Sequence, residues 1–493
     1  VAEAYYRKVP LIVVSADRPM EWIDQDDSQT LRQYEALANY VKGNYNIPAD
    51  CSDATMQWYV NRVVNDALLS SVSGRRAPVH INIQLDAPLN GVAETADTRW
   101  TRRAVDMISP SATLSPTDSH RLAEEFVAAK KVLIIAGFHN PNARLRGLLE
   151  TLAMRGNVAV MTETISNVYS PQFINGIDSV LCTLDDVQLD ELRPDIVITF
   201  GGAIVSRFIK QYLRRKTPVA HWHVGVSDTT IDCFQALTRR IDMDAEPFFA
   251  EIVEAVSRLE RESADKYSKP GCNAATGEMD YSTVWHKCDK RAKVIHDKYV
   301  ADAPWSDLRA VSTLLKCLPA DAALQLSNGT SVRYAQLFPP LQCRRTDCNR
   351  GVSGIDGSTS TAIGAASAQP EALTLLLTGD MSAQYDVGAL AAPCILPTFR
   401  MAVLCNGGGG IFRFIDATRT LPILDRYLVA QRRFPLKELA GAYGFKYMEV
   451  DSEEALQHVL PTFFAPSDAP VILAIHTPGD VSADILRGYF RAR

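Results

Sequence analysis

The sequence predicts an α/β protein of three domains in series, each built on a parallel sheet, with the first domain incomplete at its N-terminal side. Three observations carry that expectation. Short apolar runs of strand length recur between helical stretches, as strands buried on both faces require. The chain has 493 residues, 47% hydrophobic and 22% charged, which is more than one core organises. Polar or glycine-rich turns follow several of the apolar runs, at the strand ends where open α/β sheets bind ligands.

Taken in order, Val1 to Tyr6 is helix-like but has no initiator Met and no capping residue ahead of it. This start reads as the middle of a domain, so a further upstream segment is expected. Leu11-Ile-Val-Val14 is the first buried strand and runs into Ser15-Ala-Asp-Arg-Pro19. A helix over Met56 to Ser70 and a strand over Pro78 to Ile83 close the remainder of a first domain, residues 1–103. Asp86 to about Ser115, rich in Pro, Thr and Ala, reads as a linker.

Alternation restarts with a helix from His120 to Ala129, a strand from Lys131 to Ala136 and a helix through Leu152. Strands over Asn157 to Met161 and Asp195 to Phe200 follow, then a helix from Val205 to Arg214, giving a central domain over 104–270. Its Gly201-Gly202 turn lacks a GxGxxG pattern, so this domain is expected to carry no cofactor of its own. The polar stretch Glu262 to Met279 precedes a third domain, 271–493. Here helices are expected near Val284 to Lys298 and Asp307 to Cys317, and strands over Ala323 to Leu326, Leu373 to Thr378, Arg400 to Cys405 and Pro470 to His476.

Composition excludes several functions. The 51 basic and 57 acidic residues give a net charge of −6, with no run of like charge long enough to track a nucleic acid. No apolar run approaches a bilayer span, so no stable membrane insertion is expected. The ten scattered cysteines lack zinc-ligand spacing and read as reduced thiols of a cytoplasmic protein.

The chemistry concentrates in Leu375-Leu-Leu-Thr-Gly-Asp-Met-Ser382 and Met401-Ala-Val-Leu-Cys-Asn-Gly-Gly-Gly-Gly-Ile-Phe412. Two adjacent buried strands would bring Asp380 and Asn406 together at their carboxyl ends, offering a carboxylate and an amide oxygen to one hard cation. Mg2+ suits that pair, with Mn2+ an alternative. The glycines would let the backbone approach a diphosphate. A lone Gly-Asp would be no more than a strand end; the 25 residues between Asp380 and Asn406 make the combination informative.

That combination resembles the thiamine diphosphate binding motif. The resemblance implies Asp380, Asn406 and the carbonyl of Gly408 as metal ligands, and Ser353, Gly354, Ile355, Gly379, Met381, Ser382 and Ile411 around the cofactor. Cys405 replaces the first Asn of the usual doublet, whereas the ligand is the second. Together with Ala16-Asp-Arg-Pro19, Ser28-Gln29, Gly408-Gly-Gly-Ile-Phe412 and above all Asn349-Arg-Gly-Val-Ser-Gly-Ile-Asp-Gly357, the chain resembles the MenD family of menaquinone biosynthesis, 2-succinyl-5-enolpyruvyl-6-hydroxy-3-cyclohexene-1-carboxylate synthases.

The resemblance implies pyrimidine-binding, central and diphosphate-binding domains, and a homo-oligomer with its active site between subunits. It implies decarboxylation of 2-oxoglutarate and addition of the succinyl carbanion equivalent to isochorismate. Both substrates are dicarboxylates, which guanidinium groups bind best. Arg333 and Arg350 match arginines on the succinyl side, and Arg18 and Arg207 match basic positions near isochorismate. Gln29 matches a glutamine contacting the cofactor-bound intermediate, Ile355 the apolar wedge that bends the cofactor, and Ile411, Phe412 and Ile415 an apolar wall. Phe208 stands where a second basic residue is usual, and Gly329 where a serine is.

The family's activating glutamate has no match. Glu3 lies too close to Ala16-Asp-Arg-Pro19, and the residue is expected upstream of Val1. Without it the chain as numbered is expected to be catalytically impaired. Two other readings stay open: another thiamine diphosphate-dependent 2-oxoacid decarboxylase or acetohydroxyacid synthase, and a non-catalytic protein of the same fold.

Overall fold

The computed structural model describes residues 1–86, 103–266, 280–339, 341, 343–429 and 434–492. Most of the expected first linker and of the polar stretch before the third domain lies outside the described residues, and so does the expected boundary at 270/271. The described residues form two compact units: Val1–Ala112 with Val226–Thr229 and Arg350–Val352, and the remainder of the chain.

The first unit holds a parallel sheet of β1 (Ile12–Asp17), β2 (Asn44–Ile47) and β3 (Val79–Gln84), in the order β1-β3-β2. The helix Ala54–Val72 starts because the Asp53 carboxylate accepts the amides of Thr55 and Met56. Its Val63 and Ala67 pack on Ile47, Val79 and Ile81 from the sheet. Residues alternating with those apolar ones make a polar network instead. Asn82 Nδ2 donates to Asp17 (2.8 Å) and to Asn46 (2.9 Å), and its Oδ1 accepts from Ser15 (3.1 Å) and Gln33 (2.8 Å).

The larger unit contains two sheets, both parallel. One is β4 (Val132–Ala136), β5 (Val158–Thr162), β6 (Ile196–Phe200), β7 (Ala220–Val224) and β8 (Leu237–Ile241), in the order β5-β4-β6-β7-β8. The other is β9 (Ala323–Leu326), β10 (Arg345–Cys348), β11 (Thr374–Gly379), β12 (Phe399–Cys405), β13 (Lys446–Val450) and β14 (Val471–His476), in the order β10-β9-β11-β12-β14-β13. Each sheet is sandwiched between two apolar clusters, and this is why β4, β5, β6, β11 and β12 are almost wholly buried.

Every expected strand is present, most with ends moved by two residues or fewer and β1 running three residues further than expected, to Asp17, but five strands and several helices, Ala245–Lys266, Ser358–Ala368 and Glu453–Phe464 among them, escaped the sequence reading. Four of the five, β2, β8, β10 and β13, are sheet edges, where one strand face and one hydrogen-bonding side are less demanding and polar residues are tolerated. The fifth, β7, is internal but contains His221 and His223, whose rings both bond Thr199 Oγ1 (2.9 and 3.0 Å) in the core. Burial holds His221 neutral, its pKa lowered to about 4. At the ends of β4 and β6 the backbones close on one another: Gly202 N donates to Phe138 O (2.7 Å), and a side chain at Gly137 would run into the Gly202 carbonyl oxygen.

Candidate active site at the ends of β11 and β12

β11 and β12 are hydrogen-bonded neighbours, so Asp380, one residue past β11, and Asn406, one past β12, leave the same edge of the sheet. The turn after β12 folds back on Asp380, whose Oδ2 accepts the amides of Gly407 and Gly408, each at 3.0 Å. Both glycines have positive φ, +85° and +107°, and a Cβ on Gly408 would sit 2.5 Å from the Val429 carbonyl oxygen. Only glycine fits there. Burial raises the Asp380 pKa, opposed by the amides it accepts.

Asn406 Nδ2 donates to Asp307 Oδ2 at 2.8 Å, whereas Asn406 Oδ1 is buried without a hydrogen-bond partner. A buried, unsatisfied carbonyl oxygen beside a carboxylate is the donor chemistry a hard cation completes. The residues therefore fit Mg2+. Among the described residues no three His, Cys, Asp or Glu side chains form a metal cluster, so phosphate and backbone oxygens would have to fill the remaining positions. A cleft of about 790 Å3 opens beside the pair, lined by Asp380, Asn406, Gly407, Trp305, Glu449 and His476 among others.

Gly479 closes this edge from the start of the helix Gly479–Tyr489, and a Cβ there would run into the Asn406 carbonyl oxygen. Gly479→Ala is expected to displace the Asn406 turn, costing ~1–3 kcal/mol of stability and weakening thiamine diphosphate binding. Thermal melts with a cofactor titration check this; unchanged cofactor affinity would mean that the strand end relaxes freely.

The segment expected to contact the cofactor is fixed by a chain of hydroxyls. Ser382 Oγ donates to the Ile355 carbonyl (2.6 Å) and lies 3.3 Å from Ser327 Oγ, which in turn is 2.7 Å from Thr378 Oγ1. Asn328 Nδ2 donates to the carbonyls of Asn349 (2.6 Å) and Gly354 (2.7 Å). Ser353 adopts φ +66°, a left-handed conformation that this anchoring maintains. Ile411 and Phe412 lie in the short helix Gly410–Phe414, next to Ile415, all half-buried.

The arginines differ in setting. Arg333, on the helix Ser331–Ala335, donates to the Gly329 carbonyl and feels the charge of Asp178. Arg207 is exposed at the first position of the helix Arg207–Arg215. Phe208 spends its ring on Phe490, 5.0 Å away, which in turn lies 6.0 Å from Phe414. Phe208 is thus committed to an apolar ring contact.

In the smaller unit, Arg18 pairs with Asp27 at 2.7 Å. Its backbone amide is held by Asp17, which Asn82 holds in turn. Gln29 is exposed with φ +60°, on a loop that Gln33 ties to the Ala16 carbonyl (2.8 Å). Arg350 is half-buried, and the two amides after it, on Gly351 and Val352, donate to the Glu3 carboxylate at 2.8 and 2.7 Å. Glu3 is therefore committed to holding this loop.

Sequence reasoning missed Asp307, Ser327, Asn328 and Glu163. The last is a buried carboxylate accepting the amides of Val205 (2.8 Å) and Ser206 (2.7 Å), which anchors the start of the Arg207 helix. Burial pushes its pKa from 4.5 up to about 7. A raised acid pKa favours the folded state most below the unfolded value and loses that advantage as pH rises through the folded value. Between about pH 4.5 and 7 the unaltered chain should lose on the order of 3 kcal/mol relative to Glu163→Gln. Urea unfolding of both proteins across that range checks this, and a pH-independent difference would contradict it.

Comparisons with known proteins bear on the family. The family described as "Middle domain of thiamine pyrophosphate" matches residues 94–260. The chain is 37% identical over 496 residues to the 2-succinyl-5-enolpyruvyl-6-hydroxy-3-cyclohexene-1-carboxylate synthase of Porphyromonas gingivalis, covering 99% of this chain and 82% of that protein. It is 33% identical to the synthase of the same name from Flavobacterium johnsoniae, covering 100% and 84%, and 33% identical to that of Bacteroides thetaiotaomicron, covering 99% and 83%. With these similarities over nearly the whole of this chain, the chain belongs to the 2-succinyl-5-enolpyruvyl-6-hydroxy-3-cyclohexene-1-carboxylate synthase family of thiamine diphosphate-dependent enzymes.

Proposed function

We propose that this enzyme decarboxylates 2-oxoglutarate and adds the succinyl unit to isochorismate, yielding 2-succinyl-5-enolpyruvyl-6-hydroxy-3-cyclohexene-1-carboxylate for menaquinone biosynthesis. The family membership supports the reaction. Within the molecule, the observation that carries it is the buried, unpartnered Oδ1 of Asn406, a residue that lines the same cleft as Asp380. Asp380, that oxygen and the Gly408 carbonyl would hold Mg2+, or Mn2+, against the cofactor's diphosphate. Thiamine diphosphate supplies the electron sink on which the 2-oxoacid loses its carboxylate.

The protein's own groups bind, orient and exclude water. Ile355, fixed through its carbonyl by Ser382, supports the cofactor ring with Gly354 and Ser353, while Gly379 and Met381 line the approach to Asp380. Ile411, Phe412 and Ile415 keep the reacting end dry, a setting that favours loss of charge. Arg333 and Arg350 meet the carboxylates of 2-oxoglutarate, and Arg18 and Arg207 those of isochorismate, with Gln29 beside the reacting carbon. For Arg18 this means exchanging Asp27 for substrate.

The enzyme works in this reading as a cytoplasmic homo-oligomer with its site between subunits. Exposed apolar side chains on β1, Ile12 at 41% and Val14 at 58%, support an assembly, since parallel sheets are normally covered on both faces. None of the nine described cysteines is in a disulfide, and no helix among the described residues is long and apolar enough to cross a membrane. Incubation with thiamine diphosphate, Mg2+, 2-oxoglutarate and isochorismate should give the coupled product. CO2 release from pyruvate but not from 2-oxoglutarate would reject the substrate assignment.

A further inference from the structure

We propose that Asp307 is a positioning residue that sets the Asn406 carboxamide with its oxygen, rather than its nitrogen, available to the divalent cation. The inference rests on the reading of Asn406 as a metal ligand and extends it to a residue that touches neither metal nor cofactor.

Asp307 opens the helix Asp307–Lys316 and is 1% exposed. Each part of it is held. Its backbone amide donates to Ser482 Oγ at 2.9 Å, its Oδ1 accepts from Thr477 Oγ1 at 2.5 Å, and its Oδ2 accepts from Asn406 Nδ2 at 2.8 Å. An ionised carboxylate has lone pairs and no proton to give, so only the NH2 side of the carboxamide can face it. The carboxamide is planar, with nitrogen and oxygen on opposite sides. Fixing the nitrogen on Asp307 turns Oδ1 the other way, where it lies buried and without a partner.

That arrangement needs a reason, because a rotation of the carboxamide by half a turn would exchange the two ends. Carbonyl oxygen binds Mg2+, whereas an amide nitrogen with two protons does not. Without Asp307 both orientations are open to Asn406, and only one of them offers an oxygen to the cation. Asp307 removes that choice in advance, as an outer partner does for a metal-bound histidine. Thr477 and Ser482 hold Asp307 from the loop after β14 and from the helix Gly479–Tyr489, so the constraint is anchored outside the turn it orients.

The test titrates Mg2+ into the full chain saturated with thiamine diphosphate, by calorimetry and by intrinsic tryptophan fluorescence, alongside thermal melts of the metal-free proteins. Asp307→Asn should weaken Mg2+ binding ~10–100-fold, the range expected for outer-partner losses. The exchanged pair Asp307→Asn with Asn406→Asp again sets an amide N–H on a carboxylate, and should recover most of that loss. The recovery counts for the pair only where it exceeds the gain that Asn406→Asp alone gives beside an unaltered Asp307, and a gain no larger than that overturns the positioning role. If Asp307→Asn does not fold, Thr477→Val, which frees Oδ1 of Asp307, should still weaken Mg2+ binding. Unaltered Mg2+ affinity in Asp307→Asn and Thr477→Val, with affinity lost in Asn406→Ala, overturns the positioning role and leaves the metal site standing. Unaltered affinity in Asn406→Ala as well overturns both.

Discussion

Asp380→Ala is expected to lose more than about 100-fold in Mg2+ affinity and, with it, thiamine diphosphate binding and product formation, since outer-partner losses alone cost ~10–100-fold. Two effects add. The substitution removes the one carboxylate of the proposed ligand set, and it removes the acceptor that holds the Gly407 and Gly408 amides at 3.0 Å. The second effect matters because both glycines sit at positive φ, in a turn whose shape depends on that carboxylate. Asp380→Asn keeps the volume but places an NH2 group where an acceptor is needed, so it should fail almost as badly. Calorimetric titration of Mg2+ and cofactor decides the matter. Binding of both at unaltered affinity would dismantle the site.

Arg350→Ala should raise the KM for 2-oxoglutarate on the order of 100-fold while leaving the thiamine diphosphate requirement within about twofold. The loss of one partner from a desolvated charge pair costs ~2–5 kcal/mol, and the proposed pair is guanidinium with substrate carboxylate. Its placement is pre-organised: the following amides, Gly351 and Val352, are clamped by Glu3. A Cβ at Gly351 would lie 2.8 Å from the Glu3 backbone oxygen, so the loop is tightly seated as well as bonded. Steady-state kinetics with each component varied in turn provide the check. A change confined to the cofactor requirement would move Arg350 out of the substrate pocket.

Much of this was legible in residues. Apolar runs such as Val132–Ala136 and Leu375-Leu-Leu377 are best satisfied by burial on both faces, which points to a parallel strand between neighbours. Polar strands hid: β2 reads Asn-Tyr-Asn-Ile and β8 Leu-Thr-Arg-Arg-Ile, and neither announces a sheet until its edge position is known. The site divides in the same way. Asp380 and Asn406 stand at the ends of apolar strands and carry a recognisable spacing, so they were found; Asp307, 99 residues before Asn406, reads only as the start of a helix.

By itself the sequence determined the apolar strands, where their polar ends fall, and to which enzyme family the motifs point, because hydrophobic periodicity and motif spacing are local properties of the chain. Only the tertiary structure decided how the polar groups are spent. It gave Glu3 to the amides after Arg350, Phe208 to the Phe490 ring, Glu163 to the start of the Arg207 helix and Asp307 to the nitrogen of Asn406. A carboxylate looks the same in sequence whatever it meets; its partner is chosen by packing between segments tens to hundreds of residues apart, and that packing settles which oxygens remain for a ligand.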